Sequence, residues 1–426
     1  MRLSALAALL FVPASVYAQS SSASASGSAS ASASASASAS ATSGAGGNAN
    51  ATNPQAYLQA VLAALTQANL TSLVGVATGI ANTTEGLALL TSLSVGNKTV
   101  FAPSNAAFSN VSEEVSSNTT LLTEILSYHI LNNTYLPNGI VTAPNHTIAR
   151  SLLRGGQYAL PGNFSAPLVL SKNSTNATSF QINQATDNVS TTGPVAAANL
   201  QVYIIEEVLS LPPTIGDVAT SLFPSLAGVI GQTGLLDPLS NARGLTIFAP
   251  NDAAISGVTS ALGQLNTTQI ATILANHVIN GTVAYSTALG SGNYTSAAGQ
   301  PFTFTSNSTG TFVSSGGSVA KVIQSDVIVA NGVIHIIDGV LVNPGSNPQA
   351  AESAYSSATA AAATSVEATA PVTATSNAAT ASTSGGSTTS RASSSGRLEP
   401  FGLSKAVMGG AIALVGTVMG GGFVLM

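Results

Sequence analysis

The chain of 426 residues has no cysteine and no tryptophan, and only 10 Lys and Arg against 15 Asp and Glu. Each shortage excludes something. Without cysteine there is no disulfide scaffold, no thiolate metal site and no cysteine nucleophile. Ten scattered basic residues make no electrostatic footprint for nucleic acid. Charged residues amount to 6%, against about a quarter in ordinary soluble domains. Yet the chain is 45% hydrophobic with a net charge of −5, which is not the profile of a charged disordered polymer. No G-x-S-x-G elbow, P-loop, G-x-G-x-x-G or H-E-x-x-H occurs. The adjacent pairs Glu113-Glu114 and Glu206-Glu207 make poor acid–base couples, because sequence neighbours point to different faces. The reading is of a non-enzyme that uses no cofactor and no metal.

Both ends read as processing signals. Residues 1–18 have a positive Arg2, an apolar stretch from Leu3 to Val12, and small residues at Val16 and Ala18 for cleavage before Gln19. From Ala406 to Met426 no charge occurs, long enough to span a bilayer. No Lys or Arg follows that stretch. Upstream, Ser393-Ser394-Ser395-Gly396 supplies small residues and Arg397 to Lys405 a polar spacer, the order of a GPI-attachment signal. Residues 397–426 therefore read as that signal, with Ser394 as the attachment residue, or alternatively as a retained C-terminal membrane span. Residues 19–52 form a Ser/Ala-rich tether and 347–396 a Ser/Thr/Ala-rich stalk. Such side chains bury too little apolar area to offset the entropy of ordering.

Sixteen N-x-[ST] sequons run from Asn50 to Asn307, twelve of them at or before Asn188. The glycosylation candidates in the folded part are Asn69, Asn82, Asn97, Asn110, Asn118, Asn132, Asn145, Asn163, Asn173, Asn176, Asn188, Asn266, Asn280, Asn293 and Asn307. Any sequon in use must lie on the surface.

What remains is built twice. Thr99-Val100-Phe101-Ala102-Pro103-Ser104-Asn105 returns as Thr246-Ile247-Phe248-Ala249-Pro250-Asn251-Asp252. Tyr128-His129-Ile130 returns as Asn276-His277-Val278, and Val202 to Leu209 returns as Ile334 to Leu341. A weaker echo pairs Ser72-Leu73 with Ser225-Leu226. The offsets are 147, 148 and 132, so the first copy carries about sixteen extra residues before its last block, expected near 160–190. Two domains follow, 53–212 and 213–346, with Pro212-Pro213 at the boundary.

Each block predicts local structure. Thr-Val-Phe and Thr-Ile-Phe are short buried strands, ended by Pro103 and Pro250. The polar pairs after them, including Asn105 and Asp252, can cap a helix. Leu122, Ile125, Leu126, His129 and Ile130 share one helical face, and Ile270, Ile273, Leu274, His277 and Val278 repeat it. No second ligand accompanies either histidine, so both read as neutral core residues bonded to backbone or hydroxyl groups. Asn331-Gly332 signals a turn before an apolar strand holding His335, whereas the first copy has Ala198-Asn199-Leu200 in its place.

These residues resemble the fasciclin (FAS1) domain family. The Thr-apolar-Phe-Ala-Pro segments match its first conserved segment, Tyr128-His129 its Tyr-His pair, and Asn331 to Leu341 its second. The resemblance implies α+β architecture: two tandem domains, each a β-sandwich-like wedge of two sheets with packed short helices. It implies non-catalytic adhesion through a protein or glycan surface ligand. A GPI-anchored surface or cell-wall glycoprotein is the expected setting. The alternatives are a vacuolar or other organelle membrane protein that tethers membranes, and a module that binds polysaccharide or lipid.

Overall fold

A computed structural model describes residues 54–172 and 179–367. The leader, the 19–52 tether, Asn173, Asn176, Ser394 and the Ala406–Met426 stretch lie outside the described residues.

The first domain opens with helices α1 (Pro54–Gln67), α2 (Thr71–Ile80) and α3 (Thr84–Ser92), followed by strand β1 (Lys98–Pro103). Short helices α4 (Asn105–Ser109), α5 (Glu113–Ser117) and α6 (Thr119–Tyr128) come next. Strands β2 (Ile130–Leu131), β3 (Thr147–Arg150), β4 (Pro167–Ser171), β5 (Gln181–Asn183), β6 (Asn188–Ala197) and β7 (Leu200–Ile205) complete it. The second domain repeats the plan with α7 (Ile215–Leu222), α8 (Pro224–Thr233), α9 (Leu236–Asn241), β8 (Leu245–Pro250), α10 (Asp252–Leu262) and α11 (Thr267–Ala275). Its remaining strands are β9 (Val278–Ile279), β10 (Thr303–Asn307), β11 (Gly310–Ser315), β12 (Ser318–Val329) and β13 (Gly332–Ile337). A further helix, α12 (Pro348–Thr364), follows.

The sheet orders are β2-β1-β7-β6-β5-β4-β3 and β10-β11-β12-β13-β8-β9. In both, the first Thr-apolar-Phe strand lies parallel to the last strand, with Val100 opposite Val202 and Ile247 opposite Ile334. The long strands β6 and β12 each pair with neighbours on both halves of the wedge, so the two expected sheets are hydrogen-bonded into one. One face of each sheet is covered by helices, which bury Val61, Ile80 and Leu122 in the first domain and Val218, Leu226 and Ile255 in the second. The inside of the wedge holds the large aromatics. Phe101 meets Phe180 edge-on at 6.0 Å and Tyr203 at 6.1 Å, and Phe248 meets Phe302 at 5.1 Å.

The ends of the repeated blocks show why the motif has its spacing. Ser104 and Asn251 are the helix caps, accepting from the Ala107 and Ala254 N–H groups at 3.2 and 2.8 Å. The next residue serves a neighbouring helix instead. Asn105 Oδ1 accepts from Ser72 N–H at 2.9 Å and Asp252 Oδ1 from Ser225 N–H at 3.1 Å, tying the first turns of α2 and α8 to the strand exit. Capping was therefore legible in the polar pair, but only half of it is local.

Three expectations need correction. The first copy does have the two-residue hairpin, formed by Ala198-Asn199 where the second has Ala330-Asn331. The asparagine is the shared element: Asn199 Nδ2 donates to Leu93 O and Gly96 O, and Asn331 Nδ2 to Leu239 O and Ala242 O. Gly332 serves approach rather than the turn, since a Cβ there would run into the Leu245 backbone oxygen. The extra residues of the first copy begin earlier than 160–190 but overlap it: the Ser151 N–H to Ala166 O bond spans 15 positions where its counterpart, Ser296 N–H to Gln300 O, spans 4. Ile130 to Pro167, from the start of β2 to the start of β4, exceeds Val278 to Thr303 by 12 positions. Pro167 to Gln181 exceeds Thr303 to Gly310 by 7. Finally, residues 348–364 of the expected stalk are helix. Alanine is the best helix former, Asn347 caps the Ala350 N–H at 3.1 Å, and Pro348 suits the first turn.

Candidate functional site: the junction between the domains

The histidines singled out by the repeat are structural fixtures. His129 and His277 sit just past α6 and α11, as the C-cap and the residue after it, and both are buried. Nδ1–H donates to the carbonyl four residues back, Ile125 at 2.7 Å and Ile273 at 2.8 Å. Nε2 accepts from the backbone N–H of Leu209 and Leu341, each at 2.9 Å. Each ring thus staples a helix end to the segment leaving the last strand. Burial lowers both pKa values from 6.5 to about 4, against the opposing pull of the carbonyl bond. Tyr128 OH donates to Pro167 O at 3.2 Å. Asn276, which replaces it in the second copy, donates to Asn343 O and Gly345 O at 2.8 and 2.9 Å and holds the exit toward α12.

Phe101, Phe248 and His335 have no measurable exposure. His335 stacks on Phe248 at 5.5 Å and donates from Nε2–H to Ala284 O at 2.9 Å. Pro103 and Pro250 end β1 and β8, and the following N–H groups, of Ser104 and Asn251, continue to Ile205 O and Ile337 O. Among the described sequons, Asn132 and Asn280 are half-buried and the rest are exposed.

The densest polar chemistry lies elsewhere, where the domains meet. Strand β12 carries a bulge between Gln324 and Val327, and Asp326 adopts φ 62° within it. A left-handed conformation is costly for a residue with a side chain, and bulges re-aim side chains. Here the bulge turns a carboxylate out of an apolar strand toward the first domain. His146 Nδ1–H donates to Asp326 Oδ2 at 2.8 Å, and both residues are buried. Ser286 N–H donates to Asp326 Oδ1 at 2.7 Å and its hydroxyl to Oδ2. The Asp326 N–H reaches His335 Nδ1 at 3.3 Å. Burial would raise the Asp326 pKa, but the His146 bond, the nearby His335 and the two Ser286 bonds outweigh it and hold the carboxyl below its usual value.

A second fastening sits beside it. The Arg150 guanidinium lies over the rings of Phe164 and Tyr285 at 5.3 and 5.2 Å and donates to the Tyr285 hydroxyl at 3.3 Å. Glu367, just beyond α12, accepts from Ser165 N–H at 3.1 Å and from Arg154, and lies 3.9 Å from Arg150. Between these polar groups Ile148, Val169, Tyr285, Ile328 and Val333 form one apolar cluster drawn from both domains.

Chemically this junction fastens rather than reacts. A serine nucleophile needs its hydroxyl on an imidazole that is itself held by a carboxylate. Here the carboxylate lies between: the Ser286 hydroxyl and His146 both donate hydrogen bonds to Asp326, so no imidazole faces the hydroxyl. Ser325 Oγ stands 3.4 Å from the same His146 Nδ1 already committed to Asp326. Among the described residues, no three His, Asp or Glu side chains gather as a metal site.

Sequence reasoning passed over His146 and Asp326. A signal existed. Aligning the last blocks sets Ser325-Asp326 against Gly193-Pro194, the same bulge in β6. An acidic residue directly before Val327-Ile328-Val329-Ala330, in a chain so poor in charge, marks the divergence.

The fasciclin domain model matches residues 56–212 and 221–343. The chain belongs to the fasciclin domain family. It is similar to a fasciclin-like arabinogalactan protein of Arthroderma benhamiae, 23% identical over 260 residues, 59% of each chain. It is also similar to a fasciclin-like arabinogalactan protein of Phaeosphaeria nodorum, 30% identical over 115 residues, 27% of this chain and 35% of the relative. The chain thus spans about three-fifths and one-third of the length of these curated relatives. Among solved structures it resembles the FAS1 domain pair from the insect cell adhesion molecule fasciclin I, at 19% identity over 63% of this chain and 96% of that one, with a TM-score of 0.31. Fasciclin domains are adhesion-type and generally non-enzymatic, and the relatives bear no catalytic name.

Proposed function

We propose that this protein is a non-catalytic adhesion or wall-associated glycoprotein of the cell surface, held there by a GPI anchor at Ser394. The observation that carries the reading is the pair of fasciclin domains fastened to each other by the buried His146–Asp326 bond and the apolar cluster beside it. A fixed pair presents one continuous, sequon-studded surface to a protein or glycan ligand, where two loosely strung domains would present two separate ones. The names of the fungal relatives support a surface or wall setting. Low charge fits it as well, because glycans can solubilise a surface that has few Lys and Glu.

Two measurements test the proposal. Phosphatidylinositol-specific phospholipase should release the mature protein from intact cells. A full-length product retaining Ala406 to Met426, seen by mass spectrometry, would refute the anchor. Deletion of the protein should weaken attachment between cells or to surfaces, and unchanged attachment would refute the adhesive role.

A further inference from the structure

The two domains differ where their helices meet the sheet. In the second, a cavity of about 180 Å³ lies between α8, α9, α11 and β8, with an almost wholly apolar wall that includes Leu226, Ile230, Leu274 and Val278. The corresponding space in the first domain, bounded by the matching residues Leu73, Ala77, Leu126 and Ile130, is about 50 Å³. The reason is visible in the helices. Leu58, Val61, Leu62 and Leu65 of the 14-residue α1 fill the first space, whereas the 8-residue α7 contributes nothing to the second.

The larger cavity also holds the one buried side-chain polar atom without a partner among the described residues, Asn280 Oδ1. The repeat identifies what that oxygen lacks. Its counterpart, Asn132 Oδ1, accepts from Lys98 Nζ at 3.0 Å. In the second copy the lysine position is Leu245, which lines the cavity. One substitution thus removed both the donor and a polar group from the wall. An unpaired acceptor shielded from water is destabilising, and a dry apolar cavity of roughly 150 Å³ suffices to bind benzene.

We propose that this cavity is a binding site for a small, neutral, apolar molecule of about benzene to indole size carrying a single hydroxyl, whose proton goes to Asn280 Oδ1. A charged donor is disfavoured, since Lys98 has the Val95 carbonyl as a second partner at 2.6 Å and the apolar cavity offers none. The site is independent of the adhesive reading and stands or falls without it.

Phenol and toluene, alike in size and differing in the donor, serve as probes, titrated by calorimetry and by methyl NMR. The full chain is made without glycosylation, since Asn280 also heads a sequon. Phenol is expected to bind more tightly than toluene by roughly 3- to 10-fold, the range of one neutral hydrogen bond, with shifts of the Leu226, Ile230 and Leu274 methyls. Asn280→Leu should keep binding but erase the preference, and Ala275→Leu, which fills the cavity, should abolish both. Circular dichroism at pH 7 checks that each variant is folded, and Leu245→Lys, which restores the first domain's donor, offers a second blocked form. Absence of saturable binding, shifts confined to the first domain, or a phenol preference that survives Asn280→Leu would overturn the proposal.

Discussion

Acid should unfold this protein through its staples. His129 and His277 are neutral in the folded chain, each with its Nε2 lone pair committed to a backbone N–H and its pKa lowered to about 4 by burial. Protonating either ring would set two donors against each other. In the unfolded chain the same rings titrate near 6.5. Between those values the unfolded state holds about one more proton per histidine, so stability falls as the pH falls. The slope is about 1.4 kcal/mol per pH unit for each ring, or roughly 3 kcal/mol per histidine by pH 4, and nothing is lost above pH 6.5. Buried His335, also lowered by desolvation, acts in the same direction. Asp326 acts separately: its lowered carboxyl stabilises at pH values above its ordinary pKa, and that contribution is lost only as the pH falls below it. Urea unfolding at pH 7.5, 6.0 and 4.5 measures the slope, and NMR titration of the imidazole Cε1–H signals reports each ring. His129→Leu should be less stable at pH 7.5 yet flatten the acid slope of the first domain. Folded-state rings titrating near 6.5, or a stability constant from pH 7.5 to 4.5, would refute the reasoning.

Three other perturbations follow from the packing. Phe101→Ala and Phe248→Ala each remove a fully buried ring and should cost about 3 to 5 kcal/mol in chemical denaturation, a loss below about 1 kcal/mol contradicting the wedge core. Asn331→Ala should cost about 1 to 3 kcal/mol by stranding the Leu239 and Ala242 carbonyls, and Asn199→Ala should cost less because Leu93 O keeps the Tyr57 hydroxyl as a donor; equal losses would contradict this accounting. Asp326→Asn should raise hydrogen exchange at β3 and β12 while leaving the two cores protected, and unchanged exchange at the junction would show that the apolar cluster alone holds the domains.

The repeat made most of the fold readable, because each motif has a local cause. A Thr-Val-Phe strand, a proline exit and an amphipathic helix depend on residues a few positions apart. What the chain concealed is long-range. Asn105 looks like a cap for its own helix, and only the fold brings Ser72 to its oxygen. His129 advertises burial by its helical register, but its acceptor role depends on Leu209, eighty positions away. The 348–364 segment conceals its helix for a different reason. Its Ala and Ser composition matches that of a solvated stalk, yet alanine also favours helix once a domain surface offers a seat. Glycine at 281 supplies part of that seat, since a Cβ there would lie 3.0 Å from the Tyr355 ring. The His146–Asp326 junction was hidden because neither residue belongs to a repeated motif. It is one of the places where the copies differ.

That same α12 segment has a mechanical meaning. Tyr355 rests beside Gly281 of the second domain, while Glu367 is gripped by Ser165 and Arg154 of the first. If the protein is anchored as proposed, tension along the chain would reach the Glu367 contacts with Ser165 and Arg154 before the end of β13. The load is shared across two bodies before any strand can be peeled. For a molecule pulled from one end while its outer face holds on, the first bonds to yield would be re-formable side-chain contacts, and the sheets would be spared.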